Sequence, residues 1–472
     1  MAGPDSDLGP FFEPRGVAII GARSSPGFGY GIPLRLKQLG WGDRTFQVNP
    51  RGGELHGMPV YPAVSQVPDP VDLAVVIVPG PAVPATLAEI GRRSIRHVII
   101  ESAGFAETGA EGRARQNELL AVAREHGLRV IGPNCVGVVN TANKFTTSEV
   151  MAEALTPGRL AVIAQSGVFG HNLLDKYNEQ GVYISKTVTL GNRLNVNENE
   201  VLDFLHQDPQ TDLVSMYLEG AADGRRLVET LKRVTRDKPV LILKSGRTPV
   251  GRAATASHTG SLSGEDRLYE SMFAQTGAVR AESVNDLVDF ARVFLGKARP
   301  RGPRLAIVTG SGSMGALAAD TAYSEGLVLP PLPQRVFTRV KEGAPGWMNA
   351  ANPLDVGPSG RFPTAFRALM EDPDIDMVLS IVTTPYAVVE TMPQEFLSAE
   401  RFLGEVEPIR ELAKEKPLAI CVLSHRRLVD LIKEAVSPDI PVYTTPEPPV
   451  RALAALWRWQ RQRNQAARGG NA

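Results

Sequence analysis

One unit recurs along the chain: a short apolar, β-branched run, a turn rich in Gly, Ser or Pro, then a helical pattern. Val17–Ile20 leads into Gly21-Ala22-Arg23-Ser24-Ser25, and Leu73–Val78 leads into Pro79-Gly80. Val98–Ile100 leads into Glu101-Ser102-Ala103-Gly104, and Val130–Ile131 into Gly132-Pro133-Asn134. Strands that alternate with helices form parallel sheets with right-handed crossovers. Strands apolar throughout, without alternation, are covered on both faces. The chain is therefore predicted to be α/β. Ligands of such sheets sit at the carboxyl ends of the strands, which is where these turns fall. The apolar runs stop after a few residues, far short of the ~20 that span a bilayer, so no membrane segment is expected.

The unit is also duplicated on a larger scale. Arg159-Leu160-Ala161-Val162-Ile163-Ala164-Gln165-Ser166-Gly167 aligns with Arg304-Leu305-Ala306-Ile307-Val308-Thr309-Gly310-Ser311-Gly312 at an offset of 145 residues, and the same offset pairs Gly170 with Gly315, Asp175 with Asp320 and Gly181 with Gly326. Lys238-Pro239 before Val240–Leu243 is echoed by Lys416-Pro417 before Leu418–Val422. The 472 residues thus divide into a first α/β domain over 1–150, two tandem domains of one design over 151–300 and 301–465, and a tail over 466–472. Lys297–Pro303 reads as the linker between the tandem pair. The basic stretch Trp457–Arg468 reads as a frayed, solvated helix end. With 51 Lys+Arg against 51 Asp+Glu, the balance argues against a nucleic-acid binder. Cys135 and Cys421 are the only cysteines, which excludes a disulfide framework or cysteine metal cluster and fits a reducing compartment. Met1–Pro14 has acids and prolines in place of a basic, apolar leader, so a cytoplasmic location is expected.

The turn Gly21–Gly31 follows the first strand and aims backbone N–H groups at an anion. The second strand, Phe46–Val48, ends in Asn49-Pro50-Arg51, where a dinucleotide site would place an acid against ribose hydroxyls. A cation there favours a ribose phosphate, as in CoA or NADP. Gly310-Ser311-Gly312-Ser313-Met314-Gly315 is formally G-x-G-x-x-G, but its next strand ends at Pro330-Pro331 without an acid, which argues against NAD. Of seven histidines, His258 differs: it lies in Ala254–Gly264, where every residue but Leu262 is Ala, Gly, Ser, Thr or the histidine itself. Such a segment packs poorly and leaves room around one imidazole. No ligand-spaced His, Cys or acid accompanies it, which disfavours a metal site. A histidine that takes up a phosphoryl group and a plain structural loop both remain open on this ground.

Ser102-Ala103-Gly104-Phe105, Gly132-Pro133-Asn134-Cys135-Val136-Gly137 and Asn49-Pro50-Arg51 resemble the CoA-binding domain of ADP-forming (NDP-forming) acyl-CoA synthetases, relatives of succinyl-CoA synthetase. Lys244-Ser245-Gly246-Arg247 with Ser257-His258-Thr259-Gly260-Ser261-Leu262 resembles the family's phosphohistidine segment, and Ala351-Asn352-Pro353-Leu354-Asp355 its Asn-Pro-x-Asp segment. The resemblance covers about residues 11–460. It implies a Rossmann-like CoA-binding domain followed by two tandem flavodoxin-like domains, and the alpha-type subunit of a ligase that joins a carboxylic acid to CoA while ATP becomes ADP and phosphate. His258 would carry the phosphoryl group and Glu219 would orient it. Gly21, Arg23, Ser24, Ser25, Asn49, Arg51, Val78, Pro79, Ser102, Ala103, Gly104, Asn134 and Cys135 would line the CoA site, Cys135 by packing and not as a nucleophile. Gln165, Ser166, Gly167, Ser311, Gly312 and Ser313 would hold phosphate at two helix N-termini. No metal ligand is assigned. ATP, ADP and Mg²⁺ would come through a separate ATP-grasp (beta-type) subunit in a hetero-oligomer such as alpha2beta2, with a small carboxylic acid as substrate. The family usually has Asn-Pro-Lys where Arg51 stands, and aspartates where Asn195 and Asn197 stand. The latter removes negative charge expected close to the pocket and suggests a different, anionic acid. The alternatives are a CoA-binding regulatory protein without turnover and an NADP-dependent oxidoreductase.

Overall fold

The computed structural model describes residues 7–23, 25, 29–150, 152–259, 264–346, 348 and 351–469, with the side chains of 256–259 and 469 outside that description. The strands are β1 (Val17–Ile20), β2 (Thr45–Val48), β3 (Gly53–Leu55), β4 (Met58–Tyr61), β5 (Leu73–Val76), β6 (His97–Ile100), β7 (Arg129–Ile131), β8 (Val138–Asn140), β9 (Phe145–Thr146) and β10 (Leu160–Ala164). There follow β11 (Ile184–Thr189), β12 (Leu213–Leu218), β13 (Val240–Lys244), β14 (Val279–Ala281), β15 (Leu305–Thr309), β16 (Leu354–Asp355), β17 (Met377–Thr383), β18 (Leu418–Leu423) and β19 (Val442–Tyr443). As their composition requires, β1, β5, β10 and β15 are buried along their whole length. Helices from their crossovers cover both faces.

The first sheet runs β3-β4-β2-β1-β5-β6-β7, parallel except for the β3–β4 pair. Without β3 this is the doubly wound dinucleotide-binding order, whose direction reverses between β1 and β5. The second sheet runs β14-β13-β12-β10-β11-β8-β9. Its five parallel strands have the flavodoxin order and reverse between β10 and β12. The third sheet, β16-β15-β17-β18-β19, has that same order, so the sequence repeat is a repeat of topology.

The chain divides into two compact units, between Glu282 and Ser283. In the first unit, the helix Gly9–Phe12 contributes Phe11 and Phe12 to a core that takes residues from both sheets, including Val75, Ile99, Phe145 and Val188. Contacts cross both expected boundaries. The hairpin β8–β9 pairs antiparallel with β11 and so joins the second sheet, although it lies before residue 150. The division also precedes Lys297–Pro303, because the helix Val284–Phe294 packs on the helix Glu447–Gly469 of the second unit. In that last helix Trp459 is buried against Phe294, so the basic segment is anchored by one aromatic face and is not wholly solvated.

Among the described residues no helix is long and apolar enough to cross a membrane, and no group of three or more His, Cys, Asp or Glu side chains forms a metal site.

Candidate active site

A cleft of about 1060 Å³ opens at the reversal point of the first sheet. Gly21, Ala22, Arg23 and Ser25 line it from the end of β1, Asn49 and Arg51 from the end of β2, Val78 and Pro79 from the end of β5, and Ser102 and Ala103 from the end of β6. At Gly21, φ is +97° and a Cβ would come within 3.0 Å of the Ile77 carbonyl carbon, so only glycine lets the turn lie this close to β5. Asn49 fastens the opposite wall: its Nδ2 donates to the Ala22 carbonyl at 2.8 Å, and its Oδ1 accepts from the Arg51 N–H at 3.0 Å. The Arg51 side chain is left exposed on the cleft. Ser102 donates to the Val78 carbonyl at 2.6 Å and closes the floor. Of the expected CoA contacts, Ser24 lies outside the described residues. Gly104, Asn134 and Cys135 are not in the lining.

Asn134 and Cys135 belong to a second feature, while Gly104 is held by Glu107, which accepts from its N–H at 2.6 Å. The turn Gly132–Gly137 lies behind Ser102, whose carbonyl accepts from the Asn134 N–H at 3.0 Å. Cys135 is buried, donates to the Ile100 carbonyl at 3.3 Å, and has its thiol pushed up by burial and by Glu101, which leaves it no thiolate for attack. Beneath the turn is a group that the sequence reading did not assign. The Glu101 carboxyl is buried, one oxygen has no hydrogen-bond partner, and burial, then the charge of Glu149, raises it well above the usual carboxylate range. It keeps its proton in the folded chain and loses it in the unfolded chain above about 4.5, so folding stability falls as pH rises beyond that point. Glu101→Gln is expected to melt higher than the native protein at pH 8, with a smaller difference at pH 5. A difference independent of pH would contradict the buried proton.

The second sheet brings the turn after β10 and the end of β12 together at its reversal point. Ser166 is the N-cap of the helix Gly167–Glu179 and makes no side-chain capping bond. The first-turn N–H groups thus receive no capping acceptor from the Ser166 side chain. A Cβ on Gly167 would lie 2.5 Å from Val136, so this helix start rests on the Gly132–Gly137 turn of the first sheet.

Glu219 follows β12 and is 2% exposed. The backbone around it is tied at every step. Gln165 Oε1 accepts from the N–H groups of Glu219 at 2.6 Å and Gly220 at 3.1 Å, and its Nε2 donates to the Gly220 carbonyl at 2.7 Å. Tyr269 accepts from Ala221 N–H at 3.1 Å, and Glu198 from Ala222 N–H at 2.7 Å. Gln165 therefore braces the Glu219 loop; its amide is not turned to a phosphate, as the sequence reading expected. Its spacing before Ser166-Gly167 could not show this, because the partner lies 54 residues away.

Lys244 ends β13 beside Leu218 in register and is 1% exposed, with Nζ 4.5 Å from the Tyr269 ring centre. Burial lowers its pKa to about 8. The helix Pro249–Thr259 follows. Pro249 suits its first position, Thr248 Oγ1 accepts from Gly251 N–H at 3.0 Å, and the alanines propagate it, so His258 falls on a helix and not in the expected loop. The side chain of His258 lies outside the described residues.

Neither Asn195 nor Asn197 lines the CoA cleft. Asn195 accepts from Val130 N–H at 2.7 Å and donates to the Leu128 carbonyl at 2.8 Å, extending the edge of β7 as only an amide can. Asn197 caps the helix Glu198–Gln207 in a capping box with Glu200. Their amides answer local backbone groups, so the expectation of an unusual anionic substrate loses its basis.

In the second compact unit, Ser311 likewise caps the helix Gly312–Ser324 without a side-chain capping bond. Its N–H donates to Thr309 Oγ1 at 3.0 Å, and its hydroxyl is 3.0 Å from that of Ser313. Each of the two repeat turns is therefore a helix start at the reversal point of its own sheet.

The sequence models of three families match: CoA binding domain over 15–141, Succinyl-CoA ligase like flavodoxin domain over 157–294, and Ligase-CoA domain over 305–467. Fold and site thus define a CoA ligase of the succinyl-CoA ligase type. The alpha subunit of acetate–CoA ligase [ADP-forming] II from Pyrococcus furiosus is 35% identical over 453 residues, which are 94% of this chain and 96% of that one. Acetate–CoA ligase [ADP-forming] II of Archaeoglobus fulgidus is 33% identical over 98% of this chain but 68% of its own length. A solved acetyl-coenzyme A synthetase from Ca. Korarchaeum cryptofilum, in complex with phosphate and ADP, superposes with a TM-score of 0.88 at 30% identity, covering 98% of this chain and 99% of that one. The chain belongs to the ADP-forming acetate–CoA ligase family, as its alpha-type chain.

Proposed function

We propose that this chain is the CoA-ligase component of an ADP-forming acyl-CoA synthetase that works through a phosphohistidine at His258. The observation that carries the reading is the contact of Gly167 with Val136. Through it, the helix start at Ser166 and the Glu219 loop braced by Gln165 adjoin the Gly132–Gly137 turn, which lies behind Ser102 at the floor of the CoA cleft. A ring nitrogen of His258 attacks the γ-phosphorus of ATP, and the bond to ADP breaks. Glu219 accepts the other ring N–H, which fixes the tautomer and stabilises the cation that forms. The phosphoryl group then passes to a carboxylate oxygen of the acid as the N–P bond breaks. Thiolate attack on the acyl carbon forms the C–S bond and releases phosphate. Ser166-Gly167 supplies a helix N-terminus for the phosphoryl charge, worth about 0.3–2 kcal/mol.

The cleft fits CoA by its chemistry: a glycine turn for close backbone approach, an apolar ledge at Val78-Pro79, and the Arg51 cation for a ribose phosphate. CoA supplies the thiol. Arg51→Ala is expected to weaken CoA binding about 10- to 100-fold, the weight of one charge-assisted contact, and Arg51→Lys to recover most of it. Calorimetric titration with CoA and dephospho-CoA checks this. The two ligands should bind Arg51→Ala alike, and an undiminished preference for CoA would remove Arg51 from the site.

ATP and Mg²⁺ would enter through an ATP-grasp module on a separate beta-type subunit in the cytoplasm. The Pyrococcus relative is named a subunit, and the Archaeoglobus relative extends well beyond the length matched here. The substrate is a small carboxylic acid. The test is reconstitution with such a partner and a panel of acids. ADP, phosphate and thioester should appear in equal amounts, and AMP with pyrophosphate would refute the reading.

A further inference from the structure

Two neighbouring residues in the loop after β11, Asn192 and Arg193, reach in opposite directions. The Arg193 guanidinium is 12% exposed and donates to the Gly220 carbonyl at 2.6 Å and to Glu198 at 3.2 Å. Glu198, wholly buried, uses its other oxygen to accept from Ala222 N–H. Arg193 therefore holds the loop that follows Glu219, at Gly220 directly and at Ala222 through Glu198. The Asn192 amide donates to Glu107 at 2.5 Å and Gln116 at 2.9 Å. Glu107 in turn accepts from the N–H groups of Gly104 at 2.6 Å and Phe105 at 3.0 Å, and Gln116 accepts from Ala106 N–H at 3.2 Å. These are the residues that leave the floor of the CoA cleft at Ser102-Ala103.

The loop between them is rigidly seated. Asn192 N–H donates to the Pro133 carbonyl at 2.8 Å and Leu194 N–H to the Gly132 carbonyl at 2.8 Å. A Cβ on Gly191 would run into the Pro133 and Asn134 carbonyl oxygens. Arg193 itself sits at φ +58°, a left-handed conformation rare for a residue with a Cβ. A strained backbone held by so many bonds is a place where the fold fixes a geometry.

We propose that Asn192 and Arg193 are paired positioning residues that hold Glu219 and the Ser102–Phe105 turn in one frame. Arg193 acts through Glu219, and Asn192 acts through the CoA turn. The inference rests on the phosphohistidine reading above, which the native enzyme tests separately.

The experiment uses the partnered enzyme with ATP and follows labelling of His258 and the KM for CoA. Arg193→Met is expected to slow labelling at least about tenfold with the KM for CoA within about threefold, because orientation is lost and the CoA cleft is not. Added to Glu219→Gln it should slow labelling no further, since both changes remove one interaction. Asn192→Ala should raise the KM for CoA at least about threefold and leave labelling without CoA unchanged. Should Arg193→Met fail to fold, Arg193→Lys keeps a cation opposite Glu198 and carries the test. Slowing on the native background and none on the Glu219→Gln background supports the proposal. Native-rate labelling, or equal slowing on both backgrounds, overturns it. An unlabelled native enzyme overturns the phosphohistidine reading itself.

Discussion

His258→Ala is expected to abolish thioester formation, lowering kcat/KM for the acid by at least about 10³-fold, while CoA binds within about twofold of native. The asymmetry follows from where the parts lie. The CoA cleft is lined from the ends of β1, β2, β5 and β6, and among the described residues none of the helix Pro249–Thr259 lines it. The loss should be near complete because two buried nucleophiles of this unit, among the described residues, are engaged elsewhere. The Cys135 thiol is held protonated by burial, and Lys244 donates to the Ser245 carbonyl and packs on Tyr269. A control separates chemistry from folding. His206 pairs with Asp237 at 2.8 Å on the surface of the same unit, and His206→Ala should leave turnover and labelling at native level.

The second large effect is at Glu219. Glu219→Gln should lower the rate of His258 phosphorylation about 10²- to 10⁴-fold, the range of a lost proton-holding partner. The loop itself should stay in place, because Gln165, Arg193, Tyr269 and Glu198 hold its backbone and not its carboxylate. Melting temperature and CoA affinity are therefore expected to remain native. A carboxylate beside an imidazole raises its pKa, so removing it lowers that pKa and moves the acid limb of the phosphorylation profile to lower pH. A rate loss accompanied by an unmoved limb would point to a structural role for Glu219.

How much of this was legible beforehand depends on the range of the interactions. The strands were plain, because β1, β5 and β10 are apolar at every position and β15 at all but Thr309. The duplication at Arg159 and Arg304 foretold two sheets of one topology. The cleft was legible through Gly21, Asn49-Pro50-Arg51 and Val78-Pro79, since a turn at a strand end has one place to go in a parallel sheet. Long-range partners were not legible. Gln165 looked like part of a phosphate turn, and its amide turned out to bind Glu219 and Gly220. Asn195 and Asn197 looked like a change of charge in the pocket, and they answer backbone groups at β7 and at a helix cap. Glu101 drew no assignment, because nothing local announces that a carboxyl oxygen will be sealed under the Gly132–Gly137 turn. The segment 254–264 read as a loop from its small residues, although alanine is the strongest helix former and carries the helix through Thr259. That the hairpin β8–β9, within 1–150, pairs with the second sheet was not legible, because strand pairing, unlike strand identity, is a tertiary property.

The central claim is that the phosphoryl group on His258 is itself chemically competent. The most direct measurement is a single turnover with the alpha chain labelled by its partner and ATP, then freed of nucleotide. Addition of acid and CoA together should convert the label to free phosphate and yield one thioester per labelled site, at a rate no slower than steady-state turnover. Label that persists, or that is lost as phosphate with no thioester formed, would contradict the account.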